Sequence, residues 1–311
     1  MRIVVLDGFT ANPGDLSWAE IEVLGEVKVY DRTDEKDIVT RAKDADAVLL
    51  NKCPMTRETM AQLTNLKYIG VLATGYNVVD TAYAKEAGIV VTNIPAYSTQ
   101  SVAQHVFALI LEIASHVGAH SDACLSGAWE NSRDFCFWNY PLTEISAKTL
   151  GIIGNGAIGQ AVGRIAGAFG MNVIAYSPSK NPMKTLERIY EESDIISLNC
   201  PLKDNNREMI CADSISGMKK GVWIINTARG GLVNEQDVKD ALISGKIGWY
   251  AADVVSVEPI RKDNPLLTAP NVILTPHIAW APREARTRLV KIAADNLKSF
   301  MAGTVVNCVN V

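Results

Sequence analysis

Short apolar runs alternate with amphipathic stretches along most of the chain, and this alternation restricts the possible folds more than any other feature. The runs in the first part are typical of strands: Ile3–Leu6, Val27–Tyr30, Ala47–Leu50, Tyr68–Ala73 and Ile89–Thr92. The stretches between them have helical periodicity: Leu16–Leu24, Glu35–Ala42, Arg57–Leu63 and Asp80–Ala87. Because continuous apolar strands that alternate with helices need cover on both faces, the pattern predicts an α/β fold with a parallel sheet.

A second series of strand-like runs follows a long apolar helix, which is predicted from about Ser98 to Val117. The strands of this series are Leu150–Ile153, Val173–Tyr176, Ile195–Asn199, Val222–Asn226, Ala251–Val255 and Val272–Leu274. A helix that is apolar almost all round is usually buried, so we expect the long helix between domains or at a subunit interface. A last helix is predicted over Arg283–Met301.

The length of 311 residues favours two domains. We predict that residues 1–98 and 282–311 form a flavodoxin-like, substrate-binding domain. A Rossmann dinucleotide-binding domain of residues 99–281 is inserted into it. Such a chain crosses twice between its domains, and we expect a cleft between them.

Charge and cysteine content exclude several classes of function. The 30 basic and 34 acidic residues give a net charge of -4, so the chain lacks the basic excess that nucleic acids and anionic membranes attract. No run approaches the roughly 20 apolar residues that span a bilayer, and the amino terminus resembles a strand rather than a signal peptide. The six cysteines lack metal-binding spacing, so we expect reduced thiols, no metal site and a cytoplasmic protein.

The segment from Leu150 to Gly159 reads LGIIGNGAIG, a strand that runs into GxGxxG and then a helix. Gly154 permits the tight turn, Gly156 lets a pyrophosphate approach the backbone, and Gly159 allows close contact between helix and strand. The helix start, at Ala157 and Ile158, offers N–H groups and a positive dipole end to phosphates. In this context the motif predicts dinucleotide binding rather than a structural turn.

The strand Val173–Tyr176 ends at SPSK, where an acidic residue commonly binds the adenosine ribose of NAD. No carboxylate stands there, whereas Ser177, Ser179 and Lys180 are able to bind a 2′-phosphate. A solvated loop with loose NAD binding is the alternative. The cofactor is therefore predicted as NAD(H) or NADP(H), with a slight preference for NADP(H).

Three further motifs place chemically active side chains just after predicted strands. Arg229 follows IINTA, Glu258 follows the strand that contains Asp253, and His277 follows ILTP. Because ligands bind at the carboxyl ends of parallel strands, we expect all three on the cofactor side of the sheet. The alternatives are a surface ion pair for Arg229, a turn residue for Glu258 and a core histidine for His277. The remaining histidines are interpreted as packing or surface residues: His105, His116 and His120.

The motifs GNGAIG, NTARGGLVNE, ADVVSVEP and NPLLTAPNVILTPHIAW resemble the D-isomer-specific 2-hydroxyacid dehydrogenase family. The similarity covers nearly the whole chain, including ATGYNVVD in the first domain. The segments DFCFWNYPL and NPGDLSW are most similar to the glycerate dehydrogenase (hydroxypyruvate reductase) branch.

This resemblance implies that a 2-keto acid is reduced by a nicotinamide cofactor. It makes His277 the proton donor, Glu258 the group that charges and orients the imidazole, and Arg229 the group that holds the substrate. It also implies cofactor contacts for Ser177, Cys200, Pro201, Thr227, Ala228, Asp253 and Ala279. Thr74, Gly75 and Asn51 are the implied substrate-binding residues of the first domain.

Hydroxypyruvate and glyoxylate are the substrates that the resemblance favours; a D-lactate dehydrogenase and a non-catalytic dinucleotide sensor are the alternatives. Substrate specificity is expected from Asn51, Lys52 and Tyr97, and from Trp138 of a neighbouring subunit in a homodimer. Two positions depart from the family pattern, because Asn199 stands where His is frequent and Val78 where Asn is common. We expect these departures to affect cofactor preference and loop shape more than the reaction class.

Overall fold

The computed structural model describes residues 1–177 and 185–310, which form two compact α/β units. Unit 1 consists of residues 1–98 and 281–311, and unit 2 consists of residues 99–280. Each unit has one sheet in which every pairing is parallel. The predicted α/β class is therefore confirmed.

The sheet of unit 1 has the strand order β2-β1-β3-β4-β5, which is the flavodoxin-like order. Its strands are β1 (Arg2–Val5), β2 (Glu26–Val29), β3 (Ala47–Leu50), β4 (Tyr68–Val71) and β5 (Val90–Thr92). The helices of its first segment are α1 (Ala19–Glu22), α2 (Ile38–Ala42), α3 (Arg57–Met60) and α4 (Thr81–Glu86). Every residue of β3 and β4 is buried, as continuous apolar strands of a covered sheet require.

The helices of unit 2 are α5 (Thr99–Ser115), α6 (Val117–Leu125), α7 (Ala157–Ala168), α8 (Leu186–Glu192), α9 (Ala212–Ser216) and α10 (Glu235–Ile243). Its strands are β6 (Thr149–Ile153), β7 (Asn172–Tyr176), β8 (Ile195–Leu198), β9 (Val222–Asn226), β10 (Ile247–Ala252) and β11 (Val272–Leu274). The strand order is β7-β6-β8-β9-β10-β11. The order reverses beside β6, and open α/β sheets bind ligands at the carboxyl ends of strands at such a point.

Helix α11 (Arg283–Met301) has the predicted bounds and belongs to unit 1. Short 3-10 turns complete the two units: Gly8–Thr10, Glu35–Asp37, Asp204–Asn206, Gly230–Leu232 and Pro265–Thr268.

The prediction of one continuous helix as far as Val117 is wrong. Helix α5 ends at Ser115, His116 takes a left-handed φ of 48°, and α6 begins at Val117. The apolar residues of α5 pack with α7 and β6 in one core of unit 2, so this unit itself accounts for much of the helix's burial. The second core of unit 2 lies on the opposite sheet face, where Ile153 and Ile224 are buried.

The strand predicted at Ala251–Val255 is shifted, since β10 begins at Ile247 and ends at Ala252. Gly248 permits the early start, because a Cβ there would lie 2.6 Å from the Gly221 carbonyl oxygen. Residues 253–255 therefore leave the sheet and belong to the loop at its carboxyl edge.

Within residues 1–177 and 185–310, no single helix has both the length and the apolar composition needed to cross a membrane. Helices α5 and α6 together meet the criteria by length and composition only, across a bend of 57°.

Candidate active site

The glycine turn between β6 and α7 has the geometry that its sequence predicts. Gly154 has a φ of +104°, a conformation that favours glycine. A Cβ on Gly159 would lie 2.1 Å from the Gly154 carbonyl oxygen, so glycine is required for this close approach. A Cβ on Gly156 would meet no described atom within 4 Å. The turn thus presents open backbone at the amino terminus of a twelve-residue helix, where anions bind.

Ser177 follows β7 directly and is buried. The other two residues that favour NADP(H), Ser179 and Lys180, lie outside the described residues. The preference between the two cofactors therefore stays a prediction.

Two side chains beyond β8 and β9 hold buried oxygen atoms that lack a hydrogen-bond partner among the described residues. They are the amide oxygen of Asn199 and the hydroxyl of Thr227. Buried polar atoms are rarely left unpaired, so both oxygens fit a ligand with N–H or O–H groups at this edge. Thr227 was predicted as a cofactor contact, whereas Asn199 was noted only as a departure from the family pattern. Burial raises the pKa of the adjacent Cys200 thiol, which is therefore neutral at pH 7.

Arg229 lies in a turn that the buried Asn226 holds at the end of β9. The Asn226 amide accepts a hydrogen bond from the Ala228 N–H at 3.1 Å and donates one to the Arg229 carbonyl at 3.0 Å. Gly230 then passes so close to the backbone of Val255 that a Cβ would lie 1.9 Å from its carbonyl carbon. The exposed Arg229 guanidinium donates to the Ala228 carbonyl at 2.6 Å. A rigid turn therefore presents this cation at the carboxyl edge of the sheet.

Glu258 and His277 form a hydrogen-bonded pair, as predicted, with Nδ1 of the imidazole 2.7 Å from Oε2 of the carboxylate. They lie on the loops after β10 and β11, which are neighbours in the sheet. Their side chains are 35% and 30% exposed, so the pair is partly shielded from water but reachable. Because an ionised carboxylate only accepts hydrogen bonds, Nδ1 carries the proton and Nε2 is the nitrogen that can exchange one with a substrate.

The carboxylate of Asp253 holds the loop that carries His277. It is 1% exposed and accepts hydrogen bonds from the Thr275 hydroxyl at 2.6 Å and from the N–H groups of Ile278 and Ala279, both at 2.8 Å. His277, between these donors, has a φ of +56°, and its N–H donates to the Thr275 carbonyl at 3.0 Å. Strained backbone of this kind persists only where surrounding contacts fix it. The predicted contact of Asp253 with the cofactor stays a prediction.

His105, interpreted from the sequence as a packing or surface residue, lies beside this hydrogen-bonded loop. Its Nε2 is 3.0 Å from the Thr275 hydroxyl oxygen and 3.6 Å from Oδ1 of Asp253. His116, just before α6, and His120, within α6, do have packing roles. The His116 ring contacts the Tyr140 and Trp249 rings, and Nε2 of His120 accepts a hydrogen bond from the Asn139 N–H. No local signal identifies His105, because its partner is 170 residues away along the chain.

Unit 1 holds the residues that were predicted to bind substrate. The Asn51 side chain is buried and donates to the Leu72 carbonyl at 3.0 Å, while the Thr74 hydroxyl donates to the Ile94 carbonyl at 2.8 Å. Asp7, which sequence reasoning missed, accepts hydrogen bonds from three consecutive N–H groups, those of Asn51, Lys52 and Cys53. The signal for Asp7 was present, since it is a carboxylate at the end of the first parallel strand.

The open glycine turn, the unpaired oxygens at the ends of β8 and β9 and the carboxylate–imidazole pair beyond β10 and β11 share one sheet edge. Together they define a dinucleotide-binding α/β protein that is equipped for proton transfer.

Comparison with known proteins identifies the family. Residues 107–279 match the model of the D-isomer specific 2-hydroxyacid dehydrogenase NAD binding domain. A hydroxypyruvate reductase of Blautia hydrogenotrophica is 51% identical over 100% of both chains, and a glycerate dehydrogenase of Methylorubrum extorquens is 40% identical over 95% of both. The chain belongs to the D-isomer-specific 2-hydroxyacid dehydrogenases, which are nicotinamide-dependent oxidoreductases. The resemblance inferred from the motifs is thereby confirmed.

A solved structure extends the similarity to both units. An acyclic imino acid reductase in complex with NADPH and D-Arg has a TM-score of 0.87 and 31% sequence identity, over 99% of this chain and 100% of its own. The likeness therefore includes the flavodoxin-like unit as well as the dinucleotide-binding one.

Proposed function

We propose that the protein reduces hydroxypyruvate and glyoxylate to the corresponding 2-hydroxy acids, D-glycerate and glycolate. The observation that carries the proposal is the Glu258–His277 hydrogen bond of 2.7 Å on the loops beyond β10 and β11. The 51% identity to a hydroxypyruvate reductase over the full length supports the substrate class.

In this proposal, His277 donates the proton from Nε2 to the carbonyl oxygen of the keto acid, and it takes the proton back in the reverse direction. Glu258 favours the charged imidazole before transfer, and afterwards it holds the neutral ring through the Nδ1 proton. Arg229 binds the substrate carboxylate or carbonyl oxygen and aligns it for the reaction. The carbonyl oxygen gains a proton at His277 while the carbonyl carbon gains a hydride, so the reduction balances.

The cofactor supplies that hydride when it is bound. Gly154, Gly156 and Gly159, with the α7 start at Ala157 and Ile158, fit its pyrophosphate, and the open backbone at Gly156 supports this assignment. The remaining proposed contacts are Ser177, Cys200, Pro201, Thr227, Ala228, Asp253 and Ala279. To these we add the amide oxygen of Asn199, which is buried without a partner in the described part of the chain. The absence of an acidic residue after β7 favours NADP(H) slightly over NAD(H).

For unit 1, we assign substrate binding to the backbone N–H groups around Thr74 and Gly75 and to the turn at Asn51. The side-chain bonds of Thr74 to Ile94 and of Asn51 to Leu72 support this assignment, because they fix the backbone of both loops. Specificity among keto acids is then set by the neighbours of these loops, including Lys52 and Tyr97.

The proton-transfer role is tested by His277→Ala with a panel of five keto acids against NADH and NADPH. Loss of a positioned general acid costs about 10²- to 10⁴-fold in turnover. We expect such a loss with hydroxypyruvate, while cofactor affinity measured by fluorescence titration stays within twofold. Unchanged turnover would exclude His277 as the donor. Preference of the wild-type protein for pyruvate over hydroxypyruvate would favour a D-lactate dehydrogenase instead.

The pyrophosphate assignment is tested by a matched pair of glycine substitutions. Gly156→Ala adds a methyl group where no described atom lies within 4 Å, so we expect normal thermal stability but at least tenfold weaker cofactor binding. Gly159→Ala forces a Cβ to within 2.1 Å of a backbone oxygen, so we expect loss of stability first. Normal cofactor affinity in Gly156→Ala would place the pyrophosphate elsewhere.

We propose a homodimer that forms through α6 and the segment that follows it. This segment exposes large apolar side chains, with Phe135 89%, Trp138 65% and Trp129 55% exposed. Contiguous exposed aromatic surface is typical of protein interfaces. Light scattering is expected to give twice the chain mass for the wild type and a smaller mass for Phe135→Glu; a monomeric wild type would exclude the dimer.

A cytoplasmic location is also proposed, on the basis of six cysteines that are all free. Recovery of the protein in a membrane or extracellular fraction would contradict it.

A further inference from the structure

The ring of His105 contacts the loop that carries His277, although His105 belongs to α5 and is remote from this loop in sequence. Its side chain is 18% exposed, and Nε2 lies 3.0 Å from the Thr275 hydroxyl oxygen. The same nitrogen is 3.6 Å from Oδ1 of Asp253, which is longer than a hydrogen bond. Helix α5 is itself held by the core of unit 2, so the ring has a rigid base.

The directions of the hydrogen bonds follow from proton counting. The Thr275 hydroxyl has one proton, and it donates that proton to Asp253 at 2.6 Å. The hydroxyl oxygen can therefore only accept from His105, so Nε2 of His105 carries a proton. The result is a directed chain in which His105 donates to Thr275 and Thr275 donates to Asp253. The hydrogen bonds in such a series strengthen one another, because each bond polarises the next.

This chain ends on the backbone that flanks His277. Asp253 accepts the N–H groups of Ile278 and Ala279, and the Thr275 carbonyl accepts the N–H of His277. The backbone on both sides of His277 is therefore hydrogen-bonded to Asp253 and Thr275, the two residues that the His105 hydrogen bond helps to position. His277 needs this support, since its φ of +56° is unfavourable for a residue with a side chain.

We propose that His105 is a positioning residue for His277, acting through Thr275 and Asp253 to keep the imidazole aligned with Glu258. This inference rests on the proposed role of His277 as proton donor. His105 itself touches neither substrate nor reacting atoms. Its contribution is the hydrogen bond that the Nε2 proton donates to the Thr275 hydroxyl oxygen. This hydrogen bond orients the Thr275 hydroxyl, and it thereby fixes the hydrogen bond that Thr275 donates to Asp253.

The test compares His105→Leu, which removes the N–H donor, with His105→Gln, which keeps an N–H donor at a similar distance from the backbone. Displacement of a catalytic group by about 1 Å costs on the order of 10²-fold, so we expect kcat for hydroxypyruvate to fall about 10- to 100-fold in the Leu variant. We expect the Gln variant to recover most of this loss. The affinity for reduced cofactor stays within twofold in both. Gln104→Leu, at the exposed neighbouring position of α5, is the matched control and keeps wild-type kcat.

A double-mutant cycle separates positioning from general damage. In a His277→Ala background, His105→Leu is expected to leave the residual turnover unchanged, because the group that it positions has gone. Full kcat in His105→Leu, a further loss in the double mutant, or failure of His105→Gln to restore turnover each overturns the proposal.

A second measurement keeps the inference independent of the proposed reaction. The Nδ1 proton of His277, held by Glu258 at 2.7 Å, is expected as a downfield proton NMR signal that His105→Leu shifts or broadens and His105→Gln restores. If the wild type shows no keto acid reduction but the signal responds in this way, the proposed function fails and the positioning role stands. If activity is present and neither kcat nor the signal responds to His105→Leu, the positioning role fails alone.

Discussion

Both units use an aspartate beyond the end of one strand to hold the loop that follows a neighbouring strand. In unit 1, Asp7 follows β1 and accepts the N–H groups of residues 51–53 at 2.7, 2.5 and 3.1 Å, on the loop after β3. In unit 2, Asp253 follows β10 and holds residues 275–279 after β11. Loops at the carboxyl edge of a parallel sheet have left the strand ladder, so an adjacent carboxylate supplies the acceptors that their N–H groups need.

The two aspartates differ in burial and in what they hold. Asp253 is 1% exposed, whereas Asp7 is partly exposed. Water can replace a lost acceptor near Asp7 but has little access to the donors around Asp253. We therefore expect Asp253 to contribute more than Asp7 to the free energy of unfolding. Asp253 also helps to hold His277 at its positive φ.

Asp253→Ala is expected to have the largest effect. A buried donor that is left without an acceptor costs about 1–3 kcal/mol, and Asp253→Ala removes the acceptor of three donors at once, the Thr275 hydroxyl and the N–H groups of Ile278 and Ala279. Urea unfolding of the purified protein measures this loss, and kcat is expected to fall with it. Asp253→Asn, which keeps one acceptor oxygen, is expected to lose less. A loss no larger than that of Asp7→Ala would show that burial does not separate the two sites.

Asp7→Ala is expected to lose less stability, about 1–2 kcal/mol, because water can satisfy the N–H groups that it leaves. Under the proposed function, KM for the keto acid rises severalfold, since the loop at Asn51 loosens, while cofactor affinity stays unchanged. Asp46→Ala is the matched control, because the Asp46 side chain accepts the Arg2 N–H at the opposite end of β1. A rise in KM in the control as large as that in Asp7→Ala would contradict the assignment of the Asn51 loop.

The contrast between the aspartates also marks what the sequence could predict. Local sequence patterns were sufficient to predict the glycine turn and helix α11, whose bounds agree with the prediction. A common sheet edge for Glu258 and His277 was predictable because strand ends of a parallel sheet share one edge, and the resemblance to the family implied that the two side chains form a pair. The bond between His105 and Thr275 was not, because it joins residues that only the packing of α5 on the sheet brings together. The break at His116 was missed because the apolar pattern continues through it, whereas the φ of 48° is not visible in a sequence.

A third carboxylate extends the comparison to an exposed position, where the expected effect is smallest. Asp15, with 42% of its side chain exposed, binds Arg286 of α11 through two bonds of 2.7 and 2.6 Å. The hydrogen bond to Arg286 holds the pKa of Asp15 below its ordinary value of 3.8. A carboxyl group with a lowered folded pKa contributes stability that is complete above the unfolded pKa and is lost as the pH falls through the folded pKa.

Asp15→Asn should therefore lower the melting temperature slightly at pH 7, and the difference from wild type should disappear as the pH falls below 3.8. Thermal unfolding of both proteins between about pH 2.5 and pH 7 measures this difference in melting temperature across the range in which carboxyl groups titrate. A difference between Asp15→Asn and wild type that persisted at the lowest pH would mean that Asp15 acts through packing or neutral hydrogen bonds rather than through its charge. Its role would then resemble that of the two strand-end aspartates more closely than its exposure suggests.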